Sequence, residues 1–337
     1  MKKITKKYKR PKIIAEISGN HNGNKKRFLN LIKHACVNGA DLIKIQTYEP
    51  KDITLKHKDI RFKIQSGLWK NMNLWNLYSK ACTPFDWHKD AFKIAKKYKK
   101  KIFSSPFSIR AVDHLEKFNC PIYKIASFEI TDYKLIDYIA SKNKKIILST
   151  GMSKISEIKS ALKIINKYHN NVSILHCISN YPTKIKDSNL EKINQLKKTF
   201  SNYEIGLSDH TNGISTSILA AQMGLIFIEK HFNLDKLKTA DSSFSINPYQ
   251  LRELSCALDY MFSKKVSRKN LKRGNLFLRR SIFASKKIKK GEIITKDNID
   301  TLRPKIGICA SNYFNILNKV AKYEIKKNEP IFFKYLK

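Results

Sequence analysis

Eight short apolar runs, rich in β-branched residues, recur through the first 235 residues of this chain and leave few folds open. They are IIAEIS (13–18), LIKIQTY (42–48), KIFSSPF (101–107), IYKIASFE (122–129), KIILSTG (145–151), VSILHCIS (172–179), EIGLSDH (204–210) and IFIEKHF (226–232). Between most of them lie segments with helical spacing, such as Phe28, Leu31, Ile32 and Ala35, then Leu135, Ile136 and Ile139, then Ile158, Leu162 and Ile165. Short runs bounded by polar residues read as strands, and a 3.6-residue period reads as an amphipathic helix. Strand and helix therefore alternate, which predicts repeated βα units around a parallel sheet. Eight units in about 235 residues is the size of a closed (β/α)8 barrel, an α/β TIM barrel. A doubly wound open sheet is the alternative. The lack of a GxGxxG motif after the first run weakens its dinucleotide-binding form.

One gap breaks the rhythm. Residues 49–85 carry Trp69, Trp75, Tyr78 and the pair Thr83-Pro84. They are predicted to form an inserted loop on the face that carries the C-terminal strand ends, before a helix at 86–99. Long loops in a compact domain are usually functional. A helix near 248–262 closes the barrel domain, predicted as residues 1–262. A basic linker, 263–280, follows. Residues 281–337 then change character: SIFASKKIKKGEIITKDNI and KVAKYEIKKNEPIFF repeat one pattern. They predict a small β-rich domain of two hairpin-like pieces.

With 42% hydrophobic residues among 337, the chain has ample material for a buried core. No apolar run approaches the ~18 residues of a spanning helix, so no membrane span is expected. The basic N-terminus is not read as a secretory signal, because Glu16 interrupts its apolar stretch. Six scattered cysteines without a CxxC pair predict neither a disulfide framework nor a zinc-thiolate site, which suits a reducing cytoplasm. The net charge is +40, from 67 Lys and Arg against 27 Asp and Glu. The excess is mostly Lys, spread along the whole chain, with abundant Ile and Asn. It is read as compositional drift producing a solvated basic surface, and no nucleic-acid partner is expected. Such a field still draws in a small anion.

In a (β/α)8 barrel, chemistry sits at the C-terminal strand ends. Lys44 and Lys124 lie inside apolar runs, where a charge is costly unless paired or facing a ligand. With Ser104, Ser105, Ser127, Ser149 and Ser208 at neighbouring strand ends, they suit a small ligand carrying several negative charges. The plainer alternative pairs the two lysines with Glu16 and Glu129 inside the barrel. His210 and His231 end adjacent strands, and two neutral imidazoles there can ligate one divalent metal while leaving positions open. His176 lies inward of its strand end and reads as structural. Glu16, Glu129 and Glu229 converge on the same mouth. Each can act as general acid or base, or neutralise a lysine, and the residues alone do not divide these roles.

IIAEISGNHNG, IKIQTY, FSSPF, YKIASFEI, LSTGM, GLSDHT and EKHF, in this order, resemble the motifs of the sialic acid synthase family. SIFASKKIKKGEIITKDNIDTLRPKIG resembles that family's C-terminal antifreeze-like (SAF) domain. TPFDWHKDAF, SSPFSIRAVDHLE, KIASFEITD and DSSFS look most like its pseudaminic acid-forming branch. The resemblance implies a barrel plus SAF domain. It also implies a metal-dependent condensation of phosphoenolpyruvate with an amino sugar to a nine-carbon α-keto acid, with phosphate released by C–O cleavage. The implied sugar is 2,4-diacetamido-2,4,6-trideoxy-L-altrose, with legionaminic or sialic acid precursors as rivals.

By the same resemblance, Lys44, Ser105, Lys124, Ser127, Ser149 and Ser208 hold phosphoenolpyruvate, and His210 and His231 bind Mn2+ or Mg2+. Glu129 stabilises the cationic centre, Glu16 orients or deprotonates a metal-associated water, and Glu229 stands beside the histidines. Gln46, Tyr181 and Asp241 contact the sugar. Arg303 corresponds to an arginine that reaches the partner's site, which implies a domain-swapped homodimer. Two departures stand out. Ser179 occupies a position where sialic acid synthases carry Asn, and LRPKIGI lacks the usual glycine soon after Arg-Pro. A non-catalytic ice- or sugar-binding module, or a polyanion-binding protein, would have no need to keep all these lysines, histidines and glutamates.

Overall fold

The computed structural model describes residues 8–263 and 274–337, which divide into two compact units, one ending at Ser263 and the other lying after it. Most of the basic linker expected at 263–280, residues 264–273, lies outside the described residues.

The first unit runs β1 (Lys12–Glu16), α1 (Lys25–Val37), β2 (Leu42–Thr47), α2 (Leu74–Ala81), α3 (His88–Lys97), β3 (Lys101–Pro106), α4 (Ile109–Glu116), β4 (Ile122–Ile125), α5 (Tyr133–Ala140), β5 (Lys145–Ser149), α6 (Ile155–Ile165), β6 (Val172–Cys177), α7 (Glu191–Thr199), β7 (Glu204–Asp209), α8 (Ser215–Ala221), β8 (Phe227–His231) and α9 (Pro248–Phe262). The eight strands are parallel and close in sequence order, with β1 hydrogen-bonded to both β2 and β8. The open-sheet alternative is thereby excluded. Each strand is buried on both faces, because helices cover the outside and side chains fill the inside. The apolar helix stripes seen in the sequence supply the outer layer: Phe28, Leu31, Ile32 and Ala35 of α1, and Ile158, Leu162 and Ile165 of α6, are buried in one continuous core.

Strand parity decides what each polar residue does. Glu229 and His231 of β8 point to the inside of the barrel and line its mouth, while Lys230 between them points outward. There Lys230 is fully buried 3.3 Å from Asp209, which also accepts from Thr211 and Ser217. This second buried ion pair is structural and knits β7, β8 and α8 together.

The inserted segment after β2 is more ordered than a loop. It contains α2, whose N-cap Asn73 accepts from the Trp75 amide. Its root is clamped by Arg110 of α4, which donates to Glu49 (3.0 Å) and Asp52 (2.9 Å) and lies over the Phe85 ring at 4.6 Å. The following helix, α3, is shorter than the predicted 86–99.

The second unit contains β9 (Ser281–Ala284), β10 (Ile299–Leu302) and a short helix, α10 (Tyr313–Ile316). β9 and β10 pair antiparallel. The two repeated pieces do not each close on themselves as separate hairpins. Bridges Phe283–Pro330, Ile288–Ile325 and Ile293–Val320 join the first piece to the second. Each piece has too few apolar residues for a core of its own, so Ile282, Ile294, Ile325 and Ile331 share one.

Two buried histidines make the barrel unit acid-sensitive. His88, bonded to Thr47 Oγ1 at 2.7 Å, and His21, packed edge-on against Phe28 and Trp87, are both fully buried, and burial lowers each pKa from 6.5 to about 4. Unfolded chains bind these protons between pH 6.5 and 4 and the folded chain does not. Their contribution is therefore complete above pH 6.5 and lost as pH falls toward 4. At pH 4.5 each costs roughly 2–3 kcal/mol relative to pH 7. The urea midpoint is expected to fall steeply over this range, and His88→Gln to flatten part of the slope. A midpoint constant from pH 7 to 4.5 would refute the assignment.

Candidate active site

The barrel register sets the polar side chains in one ring. Glu16 is the Cα partner of both Lys44 and His231, Gln46 of Ser105, and Ser208 of both Cys177 and Glu229. Above this ring opens a cavity of about 480 Å³. Of the residues singled out from the sequence, Gln46, Lys44, Lys124, Ser127, Glu129, Ser149, Tyr181, Ser208, His210, Glu229, His231 and Asp241 line it.

Three do not. Glu16 is fully buried beneath the wall, ion-paired to Lys44, with Oε1 accepting from the Ser18 amide at 2.7 Å. A carboxylate held this way supports Lys44 and is not placed to activate a water in the cavity. Ser105 is buried in the same layer. Arg303 is an exposed residue of the second unit, directly after β10 and before a cis peptide bond to Pro304.

The pairing of lysines differs from the alternative drawn from sequence. Glu229, not Glu129, is the common partner. It accepts from Lys124 through both oxygens at 3.0 Å and from Ser208 at 3.0 Å, and lies 3.2 Å from Lys44. Lys124 and Lys44 hold its carboxyl well below the usual range despite complete burial. Burial pulls the Lys124 pKa down, whereas the nearby Glu16 and Glu229 hold the Lys44 pKa up despite its burial. Two ammonium groups face the two carboxylates of Glu16 and Glu229, so the floor is formally neutral, and it meets a ligand as a set of N–H and O–H donors.

The hydroxyls sharpen this reading. Among the described residues Ser105, Ser149, Ser153 and Ser179 each have a buried Oγ without a hydrogen-bond partner, and of these Ser149 and Ser179 line the cavity. Buried polar atoms are rarely left so, and a cluster of them marks a place built for a ligand's acceptors. Ser127 Oγ is differently engaged, accepting from the Gly151 amide at 3.0 Å and meeting Cys177 Sγ at 3.1 Å. Gly151 is required here, since a Cβ would lie 2.0 Å from Ser179 Oγ and 3.0 Å from Ser127 Oγ. Ser179 is legible in the sequence as a polar residue at the end of the sixth strand and as a departure from a family pattern, without a binding role. Its position at the end of β6 was the available signal.

His210 and His231 stand with ring centroids 5.4 Å apart. His210 Nδ1 is 2.9 Å from the Ile178 carbonyl, which can only accept, so Nδ1 carries the proton and Nε2 is bare. Burial first, and His231 next, lower its pKa to about 3, so the ring is neutral. His231 Nδ1 is buried without a hydrogen bond, 3.6 Å from Asp241 Oδ2. The neutral ring of His210, whose Nε2 has only a long 3.5 Å contact with Ser208 Oγ, beside the unbonded Nδ1 of His231, fits a divalent metal. Among the described residues no three or more His, Cys, Asp or Glu side chains are placed to hold a metal ion together.

Glu129, on the turn Ser127–Glu129 after β4, has no lysine partner. Its Oε2 is buried without a hydrogen bond, and burial raises its pKa to about 7. Glu129 is thus able to exchange a proton near neutral pH, whereas the lysines hold Glu229 ionised.

Paired lysines and unpartnered hydroxyls line the C-terminal mouth of a closed parallel barrel, the face on which enzymes of this fold carry their chemistry. The chain belongs to the NeuB family, whose model matches residues 31–266, and a SAF domain matches residues 279–337. It is 42% identical to the pseudaminic acid synthase of Helicobacter pylori, over 95% of this chain and 96% of that one. It is 36% identical to the N,N'-diacetyllegionaminic acid synthase of Campylobacter jejuni, over 96% and 99%. The crystal structure of N-acetylneuraminic acid (sialic acid) synthetase from Leptospira borgpetersenii, in complex with citrate, superposes with a TM-score of 0.68 at 29% identity, covering 80% of this chain and 87% of that one. No helix among the described residues is long and apolar enough to cross a membrane.

Proposed function

We propose that this enzyme condenses phosphoenolpyruvate with 2,4-diacetamido-2,4,6-trideoxy-L-altrose and water to give pseudaminic acid and phosphate. The observation that carries the anionic half of the reading is the cavity floor of Lys44, Lys124 and the unpartnered hydroxyls of Ser149 and Ser179. Identity to the Helicobacter pylori synthase supports the sugar.

In this reading the lysines and serines hold the carboxylate and phosphate of phosphoenolpyruvate as charge-assisted hydrogen-bond donors. His210 and His231 would hold Mn2+ or Mg2+, which when bound supplies Lewis-acid polarisation of the sugar's aldehyde. Gln46, Tyr181 and Asp241 orient the sugar so that C3 of phosphoenolpyruvate forms a bond to the aldehyde carbon. C2 becomes cationic, and the carboxylate form of Glu129 stabilises it. Water then adds at C2. Glu129 takes one of its protons and passes it to the departing phosphate as the C2–O bond breaks, and the proton left on the new C2 hydroxyl goes to the oxygen of the former aldehyde, leaving a ketone at C2 and a hydroxyl on the sugar carbon. Glu16 serves by fixing Lys44. Arg303, exposed on the second unit, belongs to the same reading as the group a second copy supplies in a domain-swapped homodimer. A phosphoenolpyruvate-consuming enzyme with free cysteines belongs in the cytoplasm.

Phosphate release from phosphoenolpyruvate and Mn2+, with sugars offered singly, tests the proposal. Release only with the diacetamido-trideoxy-altrose is expected. Release with the legionaminic precursor or N-acetylmannosamine overturns the sugar and keeps the chemistry. No release with any sugar, from folded protein, overturns both.

A further inference from the structure

A second concavity, of about 600 Å³, opens where α3 and the start of β3 meet the connection from α4 to β4. It lies at the end of the barrel where the strands begin, away from the catalytic mouth. Six of its eleven lining residues are lysines, Lys89, Lys93, Lys96, Lys99, Lys100 and Lys101, and none is Asp or Glu. None of the six has an ion-pair partner among the described residues. Lysine is abundant throughout this chain, so number alone carries little, and the arrangement carries more. Lys89, Phe92, Lys93 and Lys96 are spaced three or four apart and share one face of α3. Like charges at this spacing repel, and Lys89, in the first turn, also opposes the helix dipole. The acids of the two adjoining helices could relieve this, yet each is engaged elsewhere. Asp90 of α3 pairs with Lys25 at 2.8 Å. On α4, Glu116 pairs with Lys144 at 2.6 Å, and Asp113 accepts from the Tyr138 hydroxyl at 2.5 Å. Among these lysines Phe92 and Phe118 form an offset stack, with centroids 5.3 Å apart and planes at 26°, and both line the groove.

We propose that this groove is a second binding site, for a nucleoside triphosphate. The inference stands apart from the synthase reading, since it uses no residue of the barrel mouth. A triphosphate supplies the negative charge that the chain itself withholds from the six lysines, which act on it as point charges. The base supplies a flat apolar surface for the phenylalanine pair. The size of the hollow falls within the range of about 300–1,000 Å³ usual for small-molecule sites, which favours a nucleotide over a duplex or a membrane surface.

Calorimetry on the full-length chain tests this, at an ionic strength of about 0.15 M with Mg2+ in excess and phosphoenolpyruvate saturating. The probes are ATP, inorganic triphosphate and adenosine. ATP is expected to bind once per chain, with inorganic triphosphate at least about tenfold weaker and adenosine weaker still. The double variant Lys89→Gln, Lys93→Gln is expected to weaken ATP by at least about tenfold. Phe118→Leu is expected to bring ATP and inorganic triphosphate within about threefold of each other. Both variants should keep the wild-type kcat/KM for phosphoenolpyruvate, which shows that the barrel is folded. Displacement of ATP by phosphoenolpyruvate would place it at the barrel mouth and overturn the proposal. Equal affinity of the wild type for inorganic triphosphate overturns the nucleotide, as does tighter binding of a short single-stranded RNA than of ATP. An ATP affinity unchanged in both folded variants, or no binding of ATP at all, overturns the site.

Discussion

Lys124→Met lowers kcat/KM for phosphoenolpyruvate by about a thousandfold, from the loss of charge-assisted hydrogen bonds worth roughly 1.5–3 kcal/mol each. The substitution keeps the length of the side chain and removes only the ammonium. Glu229 retains Lys44 at 3.2 Å and Ser208 at 3.0 Å, so the floor stays partly neutralised and the barrel is expected to fold. The measurement is steady-state phosphate release at saturating sugar, with circular dichroism to show that the melting curve is cooperative. The effect should appear in kcat as well as KM, because the ammonium also steadies the departing phosphate. A folded variant within tenfold of wild type would mean that Lys124 only neutralises Glu229, and the anionic substrate would have to be held elsewhere.

Chelation produces the second large loss. His210 is neutral, its Nδ1 proton is committed to the Ile178 carbonyl, and the other nitrogen is left bare beside His231. An imidazole prepared in this way has the form of a metal ligand. Treatment with EDTA is expected to lower phosphate release by at least about a thousandfold, since a Lewis acid contributes several kcal/mol to such a transition state. Mn2+ should restore wild type and fail to restore His210→Ala. Mn2+ binding followed by electron paramagnetic resonance gives a readout independent of turnover: one ion per wild-type chain, none at this site in the variant. Full activity in thoroughly chelated enzyme would remove the metal from the mechanism.

Much of the site was legible because a lysine inside an apolar run demands a reason. Lys44 and Lys124 were found on that ground, and the cavity contains both. Lys230 satisfies the same criterion and has a different answer, since it points outward to Asp209. Strand parity separates the two cases: Glu229 and His231 share a face, and the residue between them cannot. The three glutamates looked equivalent at the strand ends. They differ only because barrel closure sets Lys44 between Glu16 and Glu229 and leaves Glu129 on a turn without a cation. Ser179 was seen as a departure from a pattern, yet its unpartnered hydroxyl beside Gly151 places it in the anion floor.

The insert shows the same division. Its length and its tryptophans marked it as functional, but nothing in its lysine-rich sequence shows which residues face inward. Arg110, far along the chain, clamps its root, and Trp69 reaches the Ala240 carbonyl. These contacts turn Ile64, Ser66, Trp69, Leu74 and Tyr78 toward the cavity. Periodicity is a local property, so the chain alone determined eight strands, their helices and the residues at each strand end, while the pairing of β1 with β8 decided for the closed barrel over the open sheet. Proton affinity and the facing of a loop depend on neighbours distant in sequence. Which carboxylate remains free, which lysine is merely structural and which face the insert shows to a ligand were therefore decided only when the barrel closed.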